Sequence, residues 1–457
     1  MQKPETGSVY LKALLVALAM LYVGDRNASA QLSLPSLPGG MGQLPVDRGL
    51  GDRLDSRVRR TTEEVEPLVD AVEETVSGAV EQIDETGERL LETASGVLRV
   101  FVPETDAAGA PIEADIIMAV ADAEQRVLVE QAGYRILARR TLPSLGLTML
   151  TLERPATLSM VAALDALRTS VPGIRADFNH VYRGTADTTK VAASDAPELS
   201  SAAPDGDEQR LRIGVIDSDV LPEHPALRKV VVTRKDFVTH EALRPQTHGT
   251  AVSSLIARSA GDNVSIYSAS VFFQAGNYAP GATTESLVAA LDWLASEQVD
   301  VINMSLAGPG NDLLELAVGQ LRDTGPLIVA AVGNNGPASE PLYPAAYEGT
   351  IGVTAVDRDG RIFRYANRGD YVDCAATGVN VKVADSTTGG WRIESGTSMA
   401  SPFIAVWVAR LLREQAVPRA AVITQLVASA KDLGRNGYDT TYGHGLISEL
   451  PAVVSAN

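Results

Sequence analysis

Residues 211–217 read LRIGVID, a near-continuous apolar run closed by Asp217. Four similar runs follow: VSIYSASVFF (264–273), VDVINMSL (299–306), PLIVAAVG (326–333) and TIGVTAV (350–356). Short runs without polar alternation read as parallel strands covered on both faces. Helical stretches lie between some of them, TESLVAALDWLASEQ at 284–298 and NDLLELAVGQLRDTG at 311–325. Strand alternating with helix over about 250 residues predicts one α/β domain at 208–457, built on a central, mostly parallel, doubly wound sheet. Sites in such sheets form beyond the carboxyl ends of the strands, and Asp217 stands at one.

Working outward, residues 184–207 are rich in Ala, Ser, Asp and Thr and read as a linker open to nicking. Residues 112–183 order as strand, helix, strand, strand, helix, strand, which predicts a small α+β ferredoxin-like domain. Residues 62–95 are acidic with apolar residues at three-to-four spacing, an amphipathic helical pattern weakened by Gly78 and Gly87. Residues 31–61 form a linker, rich in Pro and Gly over 31–49. At the N-terminus, Lys3 and Lys12 precede an apolar run from Ala13 to Val23, then Ala28-Ser29-Ala30. That is the layout of a signal peptide cleaved after Ala30, predicting a secreted or periplasmic protein; the competing reading is an uncleaved anchor. The run is 11 residues, too short for a helix that spans a bilayer.

The chain has 457 residues, with 57 acidic against 39 basic side chains and a net charge of −18. That balance argues against nucleic acid as a partner, which requires a basic footprint. One cysteine, Cys374, excludes an intrachain disulfide and sits in a strand-like stretch as core filler. No HExxH metal motif, phosphate loop or GxSxG elbow occurs, which weakens metallopeptidase, nucleotide and esterase readings.

Other polar residues sit at predicted strand ends or helix starts. His248 opens the helical QTHGTAVSSLIA. Asn334 ends VAAVGNNGP. Ser398 lies in SGTSMASPFIA, residues 395–405. Singly, these residues read as turn or cap residues. Pro402 fits the first turn of the helix that follows Ser398. Together, VIDSDV, HGTAVSSLIA, INMSLAGP, AAVGNNGP, SGTSMASP and YGHGLI resemble, in order, motifs of the subtilisin-like serine peptidases, the subtilases, over about 208–450. The resemblance implies a peptidase with Asp217, His248 and Ser398 as catalytic triad and Asn334 as oxyanion donor. It implies substrate binding along Ser305, Leu306, Ala307 and Gly308, and along Ala331, Val332 and Gly333. His224 and His444 match motif neighbours and read as structural, and Tyr343-Pro344 as part of the cleft wall. The cap role then passes to Thr397 or Ser401.

The same resemblance makes 112–183 a propeptide-type inhibitor of its own peptidase domain, cleaved near Tyr182 or in the linker; a permanent accessory domain is the alternative. Protein or peptide substrates are the expected partners. The chemistry requires no cofactor; calcium sites are common in the family, and none is assigned. The chain departs from the usual pattern at Asp219, Ala251 and Ala307. Asp219 is expected to raise the pKa of His248, and Ala307 to narrow the groove. The competing function is an idle binding or scaffold protein on the same fold.

Overall fold

The computed structural model describes residues 101–184, 210–240, 242–275 and 279–451. The expected signal peptide, first linker, acidic helix and second linker lie outside them, except Gly184.

The first unit runs β1 (Pro103–Thr105), β2 (Pro111–Val120), α1 (Ala123–Gln131), β3 (Arg135–Leu142), β4 (Leu147–Glu153), α2 (Met160–Ser170) and β5 (Arg175–Gly184). Its main strands pair antiparallel in the order β3-β4-β2-β5, and β1 adds to β2. Asp122 and Gln125 form a reciprocal capping box at α1, satisfying backbone donors that a helix start leaves open. Strand alternation gives this sheet two apolar faces. Ile117, Ala119, Leu150 and Leu152 pack with α1 and α2. Ile116, Met118, Met149 and Tyr182 join the core of the second unit instead.

The second unit contains β6 (Leu211–Asp217), β7 (Val231–Asp236), α3 (Thr247–Ala260), β8 (Val264–Ser270), β9 (Phe272–Phe273), β10 (Gly281–Thr283), α4 (Thr284–Ser296), β11 (Val301–Met304), β12 (Leu306–Ala307), α5 (Asp312–Leu321), β13 (Leu327–Ala331) and β14 (Thr350–Val356). It continues with β15 (Cys374–Thr377), β16 (Val381–Asp385), β17 (Gly390–Glu394), α6 (Thr397–Arg413) and α7 (Val422–Ser429). Seven strands form an all-parallel sheet in the order β15-β14-β13-β11-β6-β8-β7. Ile213, Val215, Val329 and Val353 face α3 and α6. Ile216, Ile302, Met304 and Ile328 face α4 and α5. Burial on both sides is why these strands carry no polar alternation. Cys374 is a buried free thiol in β15, pushed well above its ordinary pKa by burial.

The units share more than apolar surface. Buried Glu113 of β2 accepts from Asn179 Nδ2 (2.7 Å) and from His240 Nε2 (2.9 Å). Asn179 Oδ1 accepts from Glu285 N in the first turn of α4, and Asp177 Oδ2 from Asp312 N in that of α5. Each meets a helix start, where backbone N–H groups lack intrahelical partners.

Candidate active site

Chain order reverses on either side of β6: β11 flanks it on one side and β8 on the other. That switch point opens a crevice at the carboxyl ends. Asp217 closes β6 and is fully buried. His248, in the first turn of α3, directs Nδ1 to both its oxygens, at 2.7 and 2.9 Å. Gly249 permits this approach. A Cβ there would lie 2.1 Å from the Ser218 carbonyl oxygen, and its N–H donates to Ser218 Oγ. Asp217 Oδ1 also accepts from Ser218 N at 2.6 Å, which fixes the carboxylate.

Burial opposes charge on the His248 imidazole, but Asp217, and then Glu394, outweigh it and hold the pKa above its ordinary value. Arg392 acts in the other direction. The expectation for Asp219 takes a different form. Its carboxylate accepts from Gln246 Nε2 (2.8 Å) and Arg234 Nη1 (3.4 Å), and the second acidic group acting on His248 is Glu394.

Ser398 is the second residue of α6 and is fully buried. Its Oγ donates to the Ser305 carbonyl at 3.0 Å, whereas His248 Nε2 is buried without a hydrogen-bond partner. The hydroxyl is therefore turned to the strand, not to the imidazole. Catalytic contacts often tighten only with substrate in place. The cap expectations fail. Gly396 is the N-cap and no side chain caps α6. Thr397 Oγ1 donates to Asn334 Oδ1, and Ser401 Oγ meets Ser305 Oγ. Pro402 lies beyond the first turn, where it removes the N–H that would serve the Ser398 carbonyl. Ser305 Oγ supplies that donor instead, at 3.1 Å.

Asn334 Oδ1 accepts from Thr397 N (3.1 Å) and Oγ1 (3.0 Å). A backbone N–H can pair only with the oxygen, so the orientation is set and Nδ2 is the donor end of the amide. Gly333 holds a φ of +102°, and a Cβ there would meet Leu342 at 2.6 Å. Among the expected substrate-binding residues, Ala307 and Gly308 line an open cleft together with Asn334, and Leu306 pairs with β5. Ser305 is buried against α6, and Ala331 and Val332 are fully buried at the end of β13. His224 accepts from Ala226 N and contacts the Gly390 carbonyl at 2.7 Å. The His444 ring packs on Tyr438. Tyr343 and Gly308 exchange backbone bonds at 2.9 and 3.0 Å, bracing the cleft strand. Among the described residues, no group of three or more His, Cys, Asp or Glu is placed to hold a metal ion.

Two residues acting on the site carry no sequence signal, and a third, Thr397, carries a misleading one. Glu394 and Arg392 lie in a hairpin strand with no motif. Thr397 was read as a cap, although its place beside Ser398 was a signal of use.

A buried carboxylate–imidazole pair at the carboxyl ends of a parallel sheet, with a serine in the first turn of a helix of the same unit, is suited to nucleophilic acyl transfer. The profile of the subtilase family matches residues 208–445. Subtilisin DY of Bacillus licheniformis is 31% identical over 253 residues, covering 52% of this chain and 89% of that protein. Halolysin of Haloferax mediterranei is 31% identical over 288 residues, covering 59% of this chain and 55% of its own. The crystal structure of fervidolysin from Fervidobacterium pennivorans superposes with a TM-score of 0.59 at 20% identity, covering 78% of this chain and 63% of that one. At that identity the superposition speaks for the fold alone. The chain belongs to the subtilase family and is a serine endopeptidase.

Proposed function

We infer that this is an exported endopeptidase that works through Asp217, His248 and Ser398 and processes its own N-terminal unit. The doubly bonded Asp217–His248 contact carries the catalytic part of the reading. Asp217 fixes the tautomer with the proton on Nδ1, leaving Nε2 as the base. Rotation of the Ser398 hydroxyl away from Ser305 brings it to Nε2. Ser398 Oγ then attacks the scissile carbonyl carbon as its proton passes to His248. The oxyanion receives hydrogen bonds from Asn334 Nδ2 and Ser398 N. His248 protonates the departing amine as the C–N bond breaks, and water, deprotonated by His248, cleaves the acyl ester.

Extended substrates are taken as an added strand beside β12. The unit spanning 101–184 occupies that place with its own strand, β5, which favours an inhibitory propeptide of ferredoxin-like shape. Export rests on the leader-like N-terminus, and one relative is named an extracellular protease. No helix among the described residues is long and apolar enough to cross a membrane. A serine-reactive phosphonate probe followed by peptide mapping tests the reading. Label on Ser398 in the processed protein is expected; label elsewhere, or none, overturns it.

A further inference from the structure

The hairpin β16–β17 leads directly into the helix that carries Ser398. Its pairing runs from Asp385 with Gly390 at the turn to Val381 with Glu394 at the open end. Beyond it, Ser395 Oγ accepts from Asn380 N, and Gly396 N donates to the Gly378 carbonyl, each at 2.9 Å. Glu394 is thereby fixed four residues ahead of Ser398. Successive side chains of a strand face opposite ways. Trp391 and Ile393 point to solvent, 47% and 62% exposed. Arg392 and Glu394 share the inner face, with side chains 21% and 18% exposed.

Arg392 stands between two acids there. Its Nε donates to Glu394 Oε1 at 2.6 Å, and its Nη1 lies 3.7 Å from Asp385 Oδ1. Two carboxylates share one guanidinium, so the cluster keeps a net negative charge. Glu394 also lines the open cleft, together with Gly308 and Asn334. Among the described residues lining it, the other charged groups are Glu340 and, from the first unit, Arg183. Glu340 stands three residues before Tyr343, whose backbone bonds to Gly308 brace the strand beside the acyl part of a substrate. Glu394 serves the other part. Its charge acts on His248, and His248 is the group that protonates the departing amine.

We propose that Glu394 selects the residue that supplies the leaving amine, favouring lysine or arginine there. The proposal rests on the triad reading, which puts the leaving amine at His248. A cationic side chain on that residue meets a carboxylate already largely withdrawn from water, and Arg392 keeps Asp385 as a second partner. Withdrawal from water strengthens such a pair over one in open solvent. A glutamate or aspartate in the same place meets a like charge. The selected residue departs with the amine when the C–N bond breaks. The preference therefore acts on formation of the acyl ester and not on its hydrolysis.

Internally quenched peptides of one sequence, with lysine or norleucine directly after the cut bond, test this on the purified active protein. Norleucine keeps the straight carbon stem and lacks the charge. At low salt, kcat/KM for the lysine peptide should exceed that for norleucine by about 3- to 10-fold. Glu394→Gln should bring the two within about 2-fold of each other. Taking the ratio within one enzyme cancels any change in the His248 pKa, because both peptides meet the same imidazole. Glu394→Lys should reverse the order and favour glutamate over lysine. Glu348→Gln removes a charge at the amino end of β14, the end of the sheet away from the site, and should keep the wild-type ratio. A wild-type ratio at or below one, a ratio that survives Glu394→Gln, or one lost equally in Glu348→Gln overturns the proposal and leaves the triad intact. Capture of a preformed acyl-enzyme gives a second reading, since an entering amine retraces the path of the leaving one. Lysine amide should capture it faster than norleucine amide, and equal capture overturns the proposal. Failure to cleave any peptide overturns the triad reading, and the proposal with it.

Discussion

At the scale of single residues, charge placement governs the site. Glu394 and Asp217 both favour the imidazolium of His248 against the cost of burial. In the proposed mechanism His248 must be neutral to accept the serine proton, so its raised pKa would set the acid limb of the rate profile. Glu394→Gln removes one favouring charge and with it the carboxylate that offsets the Arg392 charge at 2.6 Å, while its amide oxygen can still accept from the guanidinium. Both changes lower the histidine pKa, so the acid limb of kcat/KM against pH should move to lower pH; a limb that stays or rises would refute this. Asp373 gives a second test, read in stability. Burial lifts its carboxyl from the ordinary 3.8 to about 6, against the Gly352 N–H that favours ionisation. The folded state then holds a proton that the unfolded state releases, so stability is full below about pH 4 and falls as pH rises through about 6. Asp373→Asn keeps an acceptor for Gly352 without the charge. It should stabilise the protein by about 1–3 kcal/mol at pH 8 and by little at pH 4, as measured by denaturant unfolding. The triad candidates were legible because each sits in a distinctive motif. Glu394 and Asp373 were not, since their effect comes from neighbours brought together only by folding.

At the scale of elements, the site depends on how α6 meets β11 and β12. Ser305 Oγ joins Asn303 Nδ2, the Ser398 carbonyl and Ser401 Oγ. Ser305→Ala leaves the Ser398 carbonyl without that donor, because Pro402 has no N–H to offer. Unfolding should become easier by about 1–3 kcal/mol, and kcat should fall more than KM rises. A decrease confined to KM would place Ser305 in substrate binding alone. The buried strands were readable as apolar runs, and LRIGVID matches β6 at both ends. The edge strand β7, VVTRKD, is half-buried and polar, so it gave no such signal. The two-residue strands β9 and β12 are too short for any periodicity, although β12 borders the cleft. β5 runs one residue past the expected domain end at 183, to Gly184, because its last residues are held by strands of the other unit and not by its own.

At the scale of the whole molecule, the first unit completes its core only against the second. Ile116, Met118, Leu142, Leu145, Met149 and Tyr182 are buried in the core that includes α4 and α5. Residues 101–184 produced alone expose that face. They should show weak near-ultraviolet dichroism and bind a hydrophobic dye, and adding the Ser398→Ala protein processed at the linker by another protease should restore order. A cooperative, dye-free isolated unit would show that its own helices suffice. The doubly wound sheet could be read from sequence because helices cover it within one continuous segment. The docking of the first unit could not, since Glu113 meets His240 across 127 positions. If the proposed inhibitory role of the first unit holds, the placement of β5 between β10 and β12 also bears on latency. While the chain is continuous, occupancy of the cleft is an intramolecular matter, independent of how much protein is present. Once the linker is severed, the same contacts become a two-body equilibrium, and dilution alone is enough to shift it toward an open enzyme.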